Sequence, residues 1–324
     1  MIAEADKAMI GLKAFTDKLL KEFDEVIKDY YADTILLSGG LDTSILTCLA
    51  SQYFKPYTVT SKFIYGNAPD ARYAKLIAET FKLQNYVKLF DIEDAVNAAM
   101  YVIKTVKSFD AMEIRNDIPL YIAMKHVKEC GLKSVITGDG GDELFAGYPF
   151  LFKLKPYEVD EWIKSIVSHW FFAAKPIGES LGLKVFQPFL DERIVKLALK
   201  IPSKLKISKR KGVIYGKYIL RKAFEGLLPA EIIWRDKNPI EAGSGSAKLS
   251  ELLQATQKEF DELSKIVKLD NREQAYYFKI YLKEVGSIPK PKEGERPCPK
   301  CGGGMPLNLN YCRICGAYPS QEKG

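Results

Sequence analysis

Long apolar runs are missing from this chain. No stretch of its sequence approaches the ~18 to 20 consecutive apolar residues that a membrane helix needs, so no membrane partner is expected. The opening stretch MIAEADKAMIGLKAF carries acids at Glu4 and Asp6 and no uninterrupted apolar core, which is not the pattern of a secretory signal. A GxxxxGK[ST] motif is absent, which excludes a Walker A loop. Internal repeats and low-complexity tracts are absent as well. Histidine is reduced to His126 and His169, both in helical stretches away from any motif, and neither is assigned a role. Cysteine is scarce: 6 residues in 324, four of them from Cys298 onward. The body therefore holds only Cys48 and Cys130, read as small buried residues. The expected setting is the cytoplasm, where thiols stay reduced and paired cysteines bind metal more often than they form disulfides.

What is present is ordinary globular material. Apolar residues make up 47% and charged residues 27%, with a net charge of +7. That excludes a disordered, collagen-like or fibrous chain and hints at an anionic partner without naming one. Leu12, Phe15, Leu19, Phe23, Val26, Ile27 and Tyr30 recur at helical spacing and predict an amphipathic helix over residues 4–31. Strands are expected at residues 34–37, 57–63, 86–90 and 134–137, alternating with helices at 44–53, 69–81, 93–106 and 117–130. This alternation predicts an α/β fold on a parallel sheet covered on both faces. From residue 157 to 281 the pattern turns mostly helical. Residues 286–296 (GSIPKPKEGER) have linker composition, so the expected organisation is a body over 1–285, a linker over 286–296 and a small module over 297–324.

Two strand ends carry chemistry. The first strand delivers Ser38-Gly39-Gly40-Leu41-Asp42-Thr43-Ser44 to a helix start. There, free backbone N–H groups and the helix dipole favour an anion, and glycines let the chain approach phosphate oxygens closely. Asp42 makes sense in such a cradle only with a divalent cation to shield it. A plain Gly-containing turn is the bland alternative. The strand at 134–137 runs into Gly138-Asp139-Gly140-Gly141-Asp142-Glu143, three carboxylates at the strand end where open parallel sheets place ligands. They repel unless a metal or basic groups intervene. A solvated acidic turn is less apt, because Val135, Ile136, Leu144 and Phe145 flank it.

SGGLDTS and GDGGDELFAGY together resemble the synthetase domain of asparagine synthetases, within the PP-loop ATP pyrophosphatase superfamily. The similarity extends over about residues 13–288. It takes in Arg115 in a segment that carries an arginine before a helix, Pro188-Phe189-Leu190-Asp191 as the PFLD element, and Leu220-Arg221, Leu228-Pro229 and Arg235-Asp236-Lys237 in the family's order of LR, LP and R-x-K. Gln274-Ala275-Tyr276-Tyr277-Phe278 resembles its closing helix. The resemblance implies a parallel-sheet domain of the adenine nucleotide alpha-hydrolase-like (HUP, PP-loop ATPase) type with a helical C-terminal part. It also implies cleavage of ATP between the α- and β-phosphates, with a carboxylate forming an acyl-adenylate that ammonia captures as an amide. By the same resemblance Ser38, Gly39, Gly40, Leu41, Asp42, Thr43, Ser44 and Gly138 bind ATP and pyrophosphate. Asp42 and Asp142 hold Mg²⁺, Arg115 and Lys237 neutralise phosphate charge, Asp191 orients the site, and Asp139 belongs to the catalytic set. Without the resemblance Lys237 would pass for a surface lysine and Asp191 for the cap of a helix beginning at Glu192.

The chain departs from the family in three places. Residue 2 is Ile2, where a glutamine-hydrolysing member has its catalytic cysteine, so ammonia is expected from solution or from a separate ammonia-supplying subunit. Asp139 stands where these synthetases typically carry Glu, and Ala111-Met112-Glu113 where a threonine-rich run is usual. These two changes bear on the acceptor, aspartate, more than on adenylation.

Cys298-Pro299-Lys300-Cys301 and Cys312-Arg313-Ile314-Cys315, each followed by glycine, have the spacing of a closed tetrahedral Zn²⁺ site. Iron is second and disulfides third, since a module of about 30 residues needs a staple to fold. Such a zinc ribbon is structural, and its expected use is docking to RNA, to protein or to a second copy in an oligomer. Residues 196–222 hold ten Lys and Arg and are read as a solvated face ahead of an anion-binding one. Rival readings are a tRNA-modifying ATP pyrophosphatase that holds RNA through the ribbon, and a scaffold that keeps a nucleotide site without chemistry.

Overall fold

Thr34, Ile35 and Leu36 are buried on both faces, as a strand in the middle of a parallel sheet must be. In the computed structural model, which describes residues 2–318 with side chains from residue 11, they form the central strand. The elements run α1 (Ile2–Asp29), β1 (Thr34–Leu36), α2 (Leu41–Ala50), β2 (Tyr57–Phe63), α3 (Asp70–Thr80), β3 (Asn85–Phe90), α4 (Ile92–Val106), α5 (Ala111–Glu129), β4 (Ser134–Ile136), the single turn α6 (Gly141–Leu144) and β5 (Lys184–Phe186). The sheet has the order β3-β2-β1-β4-β5. Ile35 pairs in parallel with Thr58 and Ile136, and Val135 with Val185. The expected α/β architecture is therefore present, with β5 added from a region read as helical. A hairpin of Ser208–Arg210 and Val213–Tyr215 lies in the same region. No helix among the described residues is long and apolar enough to cross a membrane.

Two boundaries differ from the sequence expectation, and both matter for chemistry. Helix α2 begins at Leu41 rather than Ser44, because Gly40 in extended conformation serves as its N-cap. Asp42, Thr43 and Ser44 thus lie in a helical first turn. Helix α5 begins at Ala111, so Arg115 stands inside a helix rather than before one.

The chain divides into two compact units. The first comprises the residues up to Thr60, with Asp70–Val87 and His126–Asn238; the second comprises Ser61–Pro69, Lys88–Lys125 and the chain from Pro239 on. In the first unit the apolar stripe of α1 is the spine of the core. Leu19, Phe23, Val26 and Ile27 are fully buried, and Phe23 meets Phe189 edge-on at 5.0 Å and Phe224 at 6.4 Å. Each such side chain contributes about 1.5–3 kcal/mol by leaving water. In the second unit Phe109 packs on Phe278 at 4.7 Å and on Tyr281 at 5.3 Å.

Asp191 closes the first unit's core. It caps the helix Glu192–Lys200 by accepting from the Arg193 N–H at 2.9 Å, pairs with the Arg193 guanidinium and accepts from the Tyr30 hydroxyl at 2.9 Å. The Arg193 guanidinium, the strongest influence, holds its carboxyl down at about 2. A carboxyl depressed on folding adds stability above its unfolded value of about 3.9 and loses it as pH falls through the folded one. Asp191→Ala is therefore expected to cost about 1–2 kcal/mol in urea unfolding at pH 7. The gap to the parent should narrow below about pH 4; a gap constant from pH 7 to pH 3 would show that the carboxylate does not contribute in this way.

Candidate active site

Parallel neighbours bring their C-terminal ends side by side, and β1 and β4 are neighbours. The loops that follow them are consequently in contact. A Cβ on Gly138 would lie 3.0 Å from Thr43 Cγ2 and 3.3 Å from Asp42 Cβ, and one on Gly141 would lie 2.5 Å from Asp42 Cγ. The loops interlock, so a side chain at 141 would strike Asp42 and one at 138 would crowd Thr43.

The first loop is held by its own hydroxyls. Ser38 Oγ accepts from the Gly40 N–H at 3.1 Å and lies 3.1 Å from Thr43 Oγ1. Gly39 has φ +68°, and a Cβ there would run into the backbone of Tyr73 and the Ala74 nitrogen at the start of α3. Arg235 clamps the turn from outside. Its guanidinium lies over the Tyr73 ring at 3.9 Å, donates to the Gly39 carbonyl at 3.1 Å and pairs with Asp70 at 2.5 Å.

The centre of the site is a buried charge cluster. Lys217 Nζ lies 2.5 Å from Asp42 Oδ2 and 2.8 Å from Asp142 Oδ1, and its side chain is only 7% exposed. Lys237 Nζ lies 3.2 Å from Asp142 Oδ2 and 5.1 Å from the centre of the Tyr148 ring. Burial works to raise the Asp142 carboxyl, but Lys217 and Lys237 together outweigh it and hold it below the ordinary range. Asp42, with Lys217 alone at contact distance, is raised by burial. Burial likewise opposes the charge on Lys217, and the two aspartates overcome it, so the ammonium keeps its proton. Asp42 Oδ1 is buried without a hydrogen-bond partner. A hard divalent cation wants oxygen donors of this kind, so the pair suits Mg²⁺. Beside them the Tyr148 hydroxyl donates to Glu143 at 2.5 Å, and burial pushes Glu143 up to about 7.

Of the residues singled out in the sequence, the loop residues 38–44, Gly138, Asp142 and Lys237 are brought together here. Asp139, beside Gly138, accepts from Thr137 Oγ1 at 2.6 Å and from Gln187 Nε2 at 2.8 Å. Asp191 has the partners described above. Arg115 belongs to the second unit, where Nε pairs with Glu241 and Nη1 with Glu273, each at 2.5 Å. Pro119, four residues on, has no N–H for the Arg115 carbonyl, and Ser246 Oγ donates to that carbonyl instead at 2.7 Å.

Lys217 was missed. The basic block 196–222 was read as a solvated face, but Lys206, Lys217 and Arg221 are buried. The signal lay in the neighbours: Val213-Ile214-Tyr215-Gly216 and Tyr218-Ile219-Leu220 flank Lys217 with apolar residues, which a surface lysine seldom has on both sides. Arg221 fixes this segment by donating to the carbonyls of Gly216 at 2.9 Å, Arg235 at 3.0 Å and Ile233. Cys130 is also corrected: it is exposed, 3.6 Å from His126 Nε2, whereas Cys48 is buried as expected.

The four late cysteines converge in the second unit. All are buried, and their sulfurs lie within 4.8 Å of one another. Cys298 to Cys315 and Cys301 to Cys312 are 3.7 Å apart. That is too long for a disulfide of about 2.05 Å and close to the ~3.8 Å edge of a tetrahedron with 2.3 Å zinc–sulfur bonds. Gly302 and Gly316, both at positive φ, return N–H groups to the Cys298 and Cys312 carbonyls at 2.8 Å. The donor set and spacing fit a Zn²⁺ ion.

The sequence matches the family described as Asparagine synthase over residues 33–181 and 177–282. It is 30% identical over 241 residues to asparagine synthetase [glutamine-hydrolyzing] 1 of Lotus japonicus, covering 68% of this chain and 41% of that protein. It is 28% identical over 258 residues to the probable asparagine synthetase [glutamine-hydrolyzing] of Dictyostelium discoideum, covering 70% and 46%. The chain thus spans less than half the length of these relatives. Among solved structures, NMN synthetase from Francisella tularensis aligns over 87% of this chain and 98% of its own, with 12% identity and a TM-score of 0.39. Motif order, interlocked loops and family match agree that this chain belongs to the asparagine synthase family.

Proposed function

We propose that this chain is an ATP-dependent, AMP-forming ligase that adenylates a small carboxylate, aspartate or a close analogue, and passes the acyl group to ammonia to form an amide. The observation that carries the reading is the meeting of Asp42, Asp142, Lys217 and Lys237 at the ends of β1 and β4, beside a glycine turn that opens a helix. Backbone N–H groups of the turn, with Ser38, Thr43 and Ser44, bind the pyrophosphate portion of ATP. Mg²⁺ held by Asp42 and Asp142 supplies charge neutralisation when bound.

The substrate carboxylate oxygen attacks the α-phosphorus and the bond to pyrophosphate breaks. The ammonia nitrogen then attacks the acyl carbon, the bond to AMP breaks, and the nitrogen gives up a proton. This chemistry needs charge held in place more than a protein nucleophile. Lys217 is already desolvated, and both it and Lys237 are oriented by Asp142 before substrate arrives, so little reorganisation accompanies the build-up of charge on the departing pyrophosphate. Arg115 adds to that neutralisation and Asp139 belongs to the catalytic set, both roles resting on the family resemblance. The organisation we propose is a catalytic body over 1–285, a linker over 286–296 and a zinc-binding ribbon over 297–324.

Pyrophosphate release from ATP, Mg²⁺ and ammonia across a panel of carboxylates, with and without tRNA, tests the reading. Release dependent on a carboxylate is expected. Release that requires tRNA would replace the reading with base adenylation, and no release with any acceptor would favour a scaffold. Asp42→Asn should lower release by about 100-fold or more while leaving the melting temperature near that of the parent; full activity would refute the site. Lys217→Met should lower both release and stability, the latter by about 3 kcal/mol in urea unfolding because buried Asp42 loses its counter-charge and Asp142 keeps only Lys237. A variant as stable as the parent would show that the cluster is solvated.

A further inference from the structure

The cysteine module is fastened into its own unit by both knuckles. The second knuckle meets the start of α5. The Phe109 N–H donates to the Ile314 carbonyl at 2.7 Å, and the Tyr311 hydroxyl donates to Asp110 Oδ2 at 2.6 Å. Asp110 immediately precedes α5, and its Oδ1 accepts from the Met112 N–H at 2.9 Å, as a helix cap does. Gly316 comes so close that a Cβ there would strike the Asp110 carboxylate. The same knuckle meets the helix Arg272–Glu284, where Gln274 Nε2 donates to the Cys315 carbonyl at 2.7 Å. The first knuckle adds a bond from the Lys268 N–H to the Lys300 carbonyl at 2.9 Å, and Lys300 pairs with Asp270 at 2.5 Å.

The two elements gripped in this way are the helix that carries Arg115 and the helix that supplies Glu273, one of its two carboxylate partners; the other is Glu241. Arg115 stands on α5 five residues after Asp110, and Glu273, adjacent to Gln274, takes its Nη1 at 2.5 Å. Nearby cations are also engaged at home: Lys300 of the ribbon by Asp270, and Arg296 at the end of the linker by the Leu309 carbonyl at 3.1 Å and Asn310 at 3.0 Å. The partner that these contacts give the ribbon is therefore its own chain.

We propose that the metal-loaded cysteine cluster is a brace for Arg115, with Asp110, Tyr311 and Gln274 as positioning residues. Bound metal fixes the knuckle of Cys312 and Cys315. The knuckle fixes the cap of α5 and the start of the helix that carries Glu273, and these, together with Glu241, set where the guanidinium stands. The kinetic consequence rests on the role given to Arg115 above; the structural consequence does not.

The test uses the full chain loaded with Zn²⁺, before and after removal of the metal with a chelator and again after Zn²⁺ is restored. Hydrogen exchange of amides 112–115 and 274–275 should accelerate about 10-fold or more without metal and recover with it, while amides of β1 and β4 hold steady. Tyr311→Phe and Gln274→Glu, each checked for undiminished zinc content and melting temperature, should raise the KM for ATP about 10-fold. A change confined to kcat would mean a smaller active fraction and no positioning. In an Arg115→Ala background the same substitutions should add nothing further. A chain that takes up no Zn²⁺, or exchange at 112–115 indifferent to it, overturns the brace. If Arg115→Ala leaves the kinetics of pyrophosphate release unchanged, the role of Arg115 fails, and the exchange result still decides the brace.

Discussion

Lys217, shared between Asp42 and Asp142, is the interaction on which the first unit's site depends. Three charges with so little water around them tolerate one another as a set, since Lys217 gives Asp42 its counter-charge and shares Asp142 with Lys237. The set also ties together parts of the chain that are far apart in sequence. Asp42 comes from the first turn of α2, Asp142 from α6, and Lys217 from a residue at φ +53° just after the hairpin. Arg221 secures that last segment through three carbonyls. The electrostatics thus locate the loops, as the backbone locates the charges.

Around this centre the packing leaves little freedom. Gly39 and Gly141 face atoms that a side chain would strike and Gly138 has little room for one, and Arg235 holds the Gly39 carbonyl from the far side of the turn. Such rigidity suits the proposed chemistry. A polyphosphate is stabilised most by donors and cations that need not rearrange as charge shifts onto the leaving group. Two aspartates and two lysines leave the cluster near neutral, so a bound nucleotide would bring negative charge that further cations must balance.

Much of this was legible in the sequence because it rests on local pattern. The helical stripe of α1, the short buried strands and the glycine-rich strand ends follow from spacing alone, and the cysteine pairs from their separation. What escaped depends on tertiary context. Lys217 carries no motif of its own and sat within a run of basic residues, and only the fold shows which of these turn inward. The three-residue β5 is too short for a period-two signal to stand out from its helical surroundings. The early start of α5 sets Pro119 inside a helix, where the Ser246 hydroxyl donates to the carbonyl that the missing N–H leaves free. Asp191 was read both as a capping residue and as part of the site, and the cap is plain in its bond from the Arg193 N–H. The ribbon was read as a module awaiting a partner, since no local pattern shows Tyr311 reaching Asp110 or Gln274 reaching Cys315.

The most direct test of the central claim, that a carboxylate attacks the α-phosphorus, is to follow an oxygen. With ¹⁸O in the acceptor carboxylate, adenylation followed by amide formation must leave one labelled oxygen in AMP, detected by mass spectrometry or by the isotope shift in the phosphorus spectrum. AMP carrying the label is the predicted result. Unlabelled AMP, or ADP in place of AMP, would contradict it.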